Sequence, residues 1–172
     1  MNRILIAAVA AAIAGCASMG ATEGPKAVAN LEPTKGNQVR GTVTFTQTGD
    51  TIRVTTRLTG LKPNAEHGFH VHEKGDCSSG DGMSAGGHYN PAGVAHGRYD
   101  AGPHHAGDMP NLMSDGNGNA NTSFTVSGLG IGSGTADIVG RGLIVHRDPD
   151  DYKSQPAGNA GPRLACAVIQ KS

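Results

Sequence analysis

The chain has 172 residues, enough for one domain with a sizeable buried core. Its 27 glycines and nine prolines, with three phenylalanines, three tyrosines and no tryptophan, favour short strands joined by many turns over a helical bundle. Basic and acidic residues are balanced at 14 each, which argues against nucleic acid or another polyanion as the partner.

The N-terminal residues are typical of an export signal. Arg3 precedes an apolar run, Ile4–Ala14, that is too short to cross a bilayer. The segment Ile13-Ala14-Gly15-Cys16 resembles the processing box of bacterial lipoproteins. We therefore expect residues 1–15 to be a signal peptide and Cys16 to carry the lipid.

An ordinary signal peptide, cut near Ala17 or Ala21, is the alternative. With lipidation, residues 16–26 are expected to act as a small, polar tether between the lipid and a domain that spans 27–172. Both alternatives place the domain outside the cytoplasm, and Ser18 favours the outer membrane. The predicted location is the periplasm, with the membrane contacted only through the anchor at Cys16.

Export makes the remaining cysteines informative. Besides Cys16 the chain has Cys77 and Cys166, an even pair in an oxidising compartment. We expect a disulfide that ties a glycine-rich loop to the last strand. Two unpaired buried thiols are the alternative.

Period-two alternation predicts two of the strands. It appears in Val39–Thr46 and Thr51–Leu58, which flank Gln47-Thr-Gly-Asp50. This arrangement predicts a β-hairpin with one face exposed to solvent. No segment has helical periodicity, so we expect an antiparallel β-sandwich or barrel. The further strands are predicted at 66–73, 119–127, 136–146 and 164–169.

Two long segments lack apolar periodicity. Lys74–Pro110 is rich in glycine and polar residues, and Arg147–Pro162 carries most of the late charge. Loops of this length are unusual in a compact domain and indicate function or ordering by a ligand. We expect both loops to cover one side of the sheet.

Six of the eight histidines predict metal coordination. Residues two apart on a strand point the same way, so His70 and His72 project from one face while Phe69 and Val71 face the core. Two imidazoles fixed on a strand suit copper or zinc, although two surface histidines are an equal alternative. His146, at the end of an apolar strand, could complete this site.

The first long loop supplies a second set. His88, His96 and His105 with Asp108 offer three imidazoles and a carboxylate, a shell that zinc takes in structural sites. Two four-coordinate ions need one ligand more than the seven available, and a bridging imidazole supplies it. His88 is the natural bridge because it comes first in the loop that follows the His70/His72 strand.

These motifs together closely resemble the copper/zinc superoxide dismutases. The resemblance implies an eight-stranded Greek-key β-barrel, with one copper and one zinc ion per subunit. It also pairs Cys77 with Cys166 and implies a homodimer in some members, while the longer loop between Cys77 and His88 resembles the periplasmic bacterial branch. The motifs are Gly68-Phe-His-Val-His-Glu73, Gly86-Gly-His-Tyr-Asn-Pro91, His105-Ala-Gly-Asp108, Val145-His146 and Gly158-Asn-Ala-Gly-Pro-Arg-Leu-Ala-Cys166.

Carried over by motif, the resemblance assigns a role to each site residue. His70, His72, His88 and His146 would bind copper. His88, His96, His105 and Asp108 would bind zinc.

Residues around these ligands also match the family. Asp150 would bond the outer nitrogens of His70 and His96, with Asp151 as a one-residue alternative. Arg163 would stand above the copper and bind a small anion, unless it is an ordinary surface arginine.

Two histidines are left outside the ligand set. His67 matches a structural position that bonds the backbone. His104 adjoins His105, and a register error could exchange the two. Which charges steer the substrate is open, and Lys74, Arg147 and Lys153 are candidates by position only.

The implied activity is superoxide disproportionation to dioxygen and hydrogen peroxide, with a copper ion that cycles and is bridged through His88 to a structural zinc. Arg163 and His88 would be the catalytic residues, and the enzyme would protect the cell envelope from superoxide. A periplasmic metal-binding lipoprotein is the main alternative, and a surface lipoprotein with only a zinc-ordered loop is another. The presence of the full copper set and Arg163 favours the enzyme.

Overall fold

A computed structural model describes residues 24–172 and is almost entirely β. The predicted signal peptide 1–15, Cys16 and most of the tether 16–26 lie outside the described residues. Within 24–172 the only helical element is a 3-10 turn, Met83–Ala85, and no helix is long and apolar enough to span a membrane.

Short strands follow the alternating sequence pattern. In the second and third strands the inward side chains, such as Phe45, Ile52 and Val54, are fully buried. The threonines and arginines that alternate with them are partly or fully exposed to solvent. The strands are β1 Lys26–Pro33, β2 Arg40–Thr48, β3 Thr51–Thr59, β4 Glu66–His67, β5 Phe69–His72, β6 Leu112–Met113, β7 Ala120–Ser127, β8 Gly142–His146, β9 Arg163–Val168 and β10 Gln170–Lys171.

All strand pairs are antiparallel, and the main sheet has eight strands. Its order is β5-β8-β9-β1-β2-β3-β7, with β10 also paired to β1 and a separate β4-β6 pair. The chain does not continue to the adjacent strand after β3 or after β7, which is a Greek-key connection. The predicted all-β antiparallel fold is confirmed.

The predicted hairpin is confirmed, with Phe45 opposite Val54 and Thr48 opposite Thr51. The strand predicted at 66–73 is interrupted at Gly68, whose N–H bonds Asp148 O at 2.8 Å and whose Cα packs against Ala160. This break is caused by a contact with the second long loop, and the local sequence around Gly68 gives no sign of that contact.

The strand predicted over 136–146 is wrong in its first half, because β8 begins only at Gly142. Gly140 has φ +79°, which is incompatible with an extended chain, and a turn is closed by the bond from Arg141 N to Ile138 O at 3.1 Å. Ile138 is buried all the same. Its apolar character therefore reflects a loop packed on the core and not a strand.

The disulfide fastens the first long loop to the sheet. Cys77 lies just after β5 and is joined to Cys166 in β9, across 89 residues of chain, with their Cα atoms 5.8 Å apart. The loop between β5 and β6 and the loop between β8 and β9 cover the side of the sheet on which the histidines lie.

Candidate metal centre and anion-binding cleft

Strand pairing brings three of the predicted ligands together. In β5, Phe69 and Val71 lie in the hydrophobic core, as predicted, so His70 and His72 project from the other face. The neighbouring strand β8 places Val145 opposite Phe69 and ends at His146. A bulge between Val145 and His146 turns that ring towards the β5 histidines.

These three histidines and His88 form the first candidate metal group. Each of the four rings offers one nitrogen, and these nitrogens lie within 4.8 Å of one another. The Nε2 atoms of His72 and His146 are only 3.4 Å apart. Such an approach of ring nitrogens suits a shared ion or proton.

His88 also belongs to a second group, with His96, His105 and Asp108. The Nδ1 atoms of the three rings surround the carboxylate of Asp108 at distances of 2.8, 3.0 and 3.6 Å. All four side chains are buried. The seven predicted ligands are therefore assembled in two groups that share one imidazole.

Unpartnered ring nitrogens test whether these groups suit metal ions. A buried polar atom without a hydrogen bond costs roughly 1–3 kcal/mol, so several in one place need an explanation. Nδ1 of His96 is 3.0 Å from Asp108 Oδ2 but is not aligned for a hydrogen bond, so the two atoms converge as ligands of one ion would. Four such atoms lie in the two groups: His70 Nδ1, His88 Nε2, His96 Nδ1 and His105 Nδ1.

The two groups could therefore hold a copper and a zinc ion. Four imidazole nitrogens suit copper, and three imidazoles with one carboxylate suit zinc. His88 offers Nδ1 to the second group and leaves Nε2 for the first, which is the geometry that a bridging ring requires.

The outer nitrogens of the ligand rings are fixed by hydrogen bonds. His72 Nδ1 donates to Gly86 O at 3.0 Å, and His146 Nδ1 donates to Gly161 O at 3.1 Å. Bonds of this kind fix the tautomer and orientation of a metal-binding ring. In His72 and in His146, one ring nitrogen is therefore held by a hydrogen bond and the other points into the first group.

Asp150 anchors one ring from each group. Its buried carboxylate accepts from His70 Nε2 at 2.8 Å and from His96 Nε2 at 3.0 Å. Asn111 holds Asp150 in place by bonding both its N–H and its carbonyl, at 2.9 and 3.0 Å. The alternative residue, Asp151, is exposed and instead caps the turn at Ser154.

Burial shapes the charge of the first group. It lowers the pKa of His70 to about 4 and that of His146 to about 3, and holds the pKa of His72 well below its usual value, because a buried imidazolium is poorly solvated. These rings are neutral at physiological pH. Neutral imidazole is the form that binds metal, so protons compete weakly for this group.

The second group has the opposite balance. Burial opposes a charge on His96, but the carboxylates of Asp108 and Asp150, one beside each ring nitrogen, outweigh it and raise the pKa of His96 to about 9. Burial would raise the pKa of both carboxyls, yet the histidine hydrogen bonds hold each far below its usual value. The carboxylates therefore stay ionised.

Arg163 lies at the edge of the first group, opposite His146 in the β8–β9 ladder. Its guanidinium is half-buried, and it donates to Gly82 O and to Gly86 O, each at 2.6 Å. Both carbonyls belong to the loop that the disulfide fastens, and Gly86 O also accepts from His72. The loop therefore fixes the guanidinium relative to a ligand ring.

A cleft of about 240 Å³ opens beside these residues. Arg163 and His146 line it together with Met83, Gln155 and several residues of 156–161. Larger concavities on the outer face of β2, β3 and β7 are lined by hydroxyls and Arg57 and contain no ligand set. Of these concavities, the cleft is the one that reaches a candidate ligand, His146 of the first group.

The remaining predicted residues have ordinary roles. His67 is buried and its Nδ1 donates to His146 O at 2.9 Å, so it supports the backbone of a candidate ligand. His104 is half-buried and bonds Gly102 O, outside both groups. Of the possible steering charges, Arg147 is paired with Asp148 at 2.8 Å, and Lys74 lies 3.8 Å from Glu73.

Sequence reasoning missed four supports of the site. Gly86 O and Gly161 O are main-chain acceptors, and every residue has a main-chain carbonyl, so the residue type gives no indication of this role. Asn111 has a side chain that could have been noticed, but its role depends on a contact across 39 residues. Gln155, which bonds the main chain of His96, was missed for the same reason.

Comparison with known proteins agrees with this geometry. Residues 39–169 match the model of the copper/zinc superoxide dismutase family. The chain is 42% identical over 158 residues to Superoxide dismutase [Cu-Zn] of Paramecium bursaria Chlorella virus 1, covering 88% of this chain and 81% of that protein. It is 41% identical over 149 residues to Superoxide dismutase [Cu-Zn] 2 of Aquifex aeolicus (strain VF5), covering 84% of this chain and 86% of the relative.

The fold has a solved counterpart. The crystal structure of the clock protein EA4 is similar, with a TM-score of 0.77 and 39% identity, over 84% of this chain and 93% of that one. The predicted resemblance is confirmed: this chain belongs to the copper/zinc superoxide dismutases, a family of oxidoreductases.

Proposed function

We propose that the protein disproportionates superoxide, with copper held by the first group and zinc by the second. The overall reaction consumes two superoxide ions and two protons and yields one dioxygen and one hydrogen peroxide. The observation that carries the proposal is the pair of buried ligand groups joined through His88, with unpartnered nitrogens directed into both.

Bound copper would supply the one-electron change between two oxidation states, which zinc cannot undergo. The zinc group would then have a structural role. It fastens the first long loop, through His96, His105 and Asp108, to the ring that both groups share.

Arg163 would bind the substrate anion. A guanidinium stays charged at all working pH values, and two of its N–H groups are used by Gly82 and Gly86. Its remaining N–H groups are available to an anion in the cleft. The residue therefore orients superoxide beside His146, and neutral ligand rings there do not compete for the anion.

His88 would carry a proton at Nε2. This atom is buried without a hydrogen bond, while Nδ1 is held 2.8 Å from Asp108. At this position Nε2 would hold a proton and deliver it to superoxide in the cleft. The contact with Asp108 would keep the ring in place during the transfer.

Metal content and superoxide turnover of the copper- and zinc-loaded protein test the proposal. We expect about one copper and one zinc per chain. His146→Ala should remove copper and turnover while the zinc stays. Less than one copper per chain, or turnover that survives His146→Ala, would contradict the enzyme and favour a metal-binding protein.

The role of Arg163 needs a separate test. Arg163→Glu should slow turnover strongly and leave copper bound, because the charge acts on the anion and not on the ligands. Unchanged turnover would refute this role. Arg147→Glu is a matched control, since Arg147 is exposed and already paired with Asp148.

The finer assignments of location are proposals as well. Residues 1–15 would be removed as a lipoprotein-type signal peptide, Cys16 lipidated, and the domain 27–172 tethered in the periplasm, where it would protect the envelope from superoxide. Homodimers are possible in this family. Mass spectrometry of the mature N-terminus decides lipidation, and an N-terminus at another residue would refute it.

A further inference from the structure

Gln155 binds both main-chain groups of His96. His96 N donates to Gln155 Oε1 at 3.0 Å, and Gln155 Nε2 donates to His96 O at 2.9 Å. One side chain thereby supplies the pair of bonds that a neighbouring strand would give. His96 is 4% exposed, so its main-chain groups depend on this partner.

His96 is consequently held at three points from the loop between β8 and β9. Asp150 holds the ring at Nε2. Gln155 holds the backbone on both sides of the Cα atom. The one ring nitrogen of His96 left without a hydrogen bond is Nδ1, which lies 3.0 Å from Asp108 Oδ2.

The same Gln155 forms part of the cleft wall. It lines the cleft with His146 and Arg163, and the wall continues through several residues of 156–161. Gly161 O in turn accepts from His146 Nδ1. One short segment therefore touches a ligand of each group.

We propose that Gln155 is a positioning residue that couples zinc binding at His96 to the shape of the cleft. The inference rests on the proposed assignment of His96 to zinc. An ion on Nδ1 fixes His96, which fixes Gln155 and the wall of the cleft behind it. Because coupling between two equilibria is reciprocal, a disordered wall also weakens zinc binding.

Gln155→Met tests the coupling, since it keeps the length of the side chain and removes both hydrogen bonds. Gln155 is exposed overall, so the change opens no cavity in the core. We expect the zinc affinity, measured by competition with a chromophoric chelator, to fall about tenfold, as for other partners of metal ligands. The Co²⁺ absorption spectrum should also change, because His96 is less well oriented.

Gln47→Met is the matched control. Gln47 also bonds main-chain groups with both ends of its amide, Ile131 N at 3.0 Å and Gly49 O at 3.2 Å, but far from the histidines. Its zinc affinity should stay within about twofold of the parent. Equal affinities for the parent and Gln155→Met would overturn the proposal, whatever the unfolding midpoints of the two proteins.

Hydrogen exchange gives a readout that a merely structural role would not move. Zinc should protect the amides of 157–161 in the parent and in Gln47→Met, and should protect them much less in Gln155→Met. Equal zinc-induced protection in all three proteins refutes the coupling. If His96→Ala leaves the zinc affinity of the parent unchanged, the proposed zinc group itself is wrong, which is a distinct outcome.

Discussion

Removal of the disulfide should lower the free energy of unfolding by an amount that depends on the length of the closed loop. The Cys77→Ala, Cys166→Ala double variant opens a loop closed across 89 residues. The chain-entropy relation for a loop of this length assigns the bridge about 4.6 kcal/mol at 25 °C. Alanine is chosen because Cys166 is buried and a serine hydroxyl there would need a partner.

The free energy of unfolding of a domain is only about 5–15 kcal/mol, so the loss of the disulfide should remove a large share of it. Equilibrium urea unfolding of the protein stripped of metal by chelation measures it. Reduction of the parent with dithiothreitol should give the same decrease, since both treatments open the same loop. A decrease below about 1.5 kcal/mol in both would refute the entropic reasoning.

The disulfide variant should also lose turnover after metals are restored. Gly82 O and Gly86 O, which hold Arg163, lie on the loop that the bridge fastens. A freed loop lets the guanidinium leave the cleft edge, so the dependence of turnover on ionic strength should weaken along with the rate. Full turnover with an unchanged salt dependence would show that the loop keeps its shape without the bridge.

Three further predictions concern the ligand shells. Asp150→Ala should weaken both metal affinities by about 10- to 100-fold, because it leaves His70 and His96 without their outer partner; chelator competition that finds only one metal weakened would contradict the shared role. Gly158→Ala should act like a mild Asp150→Ala in the same assay, since Gly158 has φ +64° and an added Cβ would overlap the Asp150 carboxylate; an unchanged affinity for both metals would refute that overlap. Without metal, the pKa values of about 4 for His70 and about 3 for His146 lie below the ordinary 6.5, so stability should fall as pH drops from about 6.5 to 4. The pKa of about 9 for His96 should make it fall also as pH rises from about 6.5 to 9, and a urea midpoint that climbs in either direction from pH 6.5 would refute this.

Much of the fold was predictable because its signals are local. Alternation of apolar and polar residues identifies β2 and β3, and Gln47-Thr-Gly-Asp50 identifies the hairpin turn between them. The strand predicted from residue 136 failed because Ile138 and its neighbours are apolar in a packed loop, which a periodicity argument cannot distinguish from a strand.

Residue types and spacing were enough to predict the candidate ligands, their division into an HxH strand and a histidine-rich loop, and the need for a shared ring. These follow from residue chemistry and from the fixed period of a strand, which hold before the chain folds. The tertiary structure alone decided which nitrogen of each ring is free, because Asp150, Gly86 and Gly161 occupy the others. It also decided the orientation of Arg163 and the contact between Gln155 and His96. These contacts join loops that are far apart in the chain. They involve main-chain atoms, which are the same in every residue, so the sequence could not indicate them.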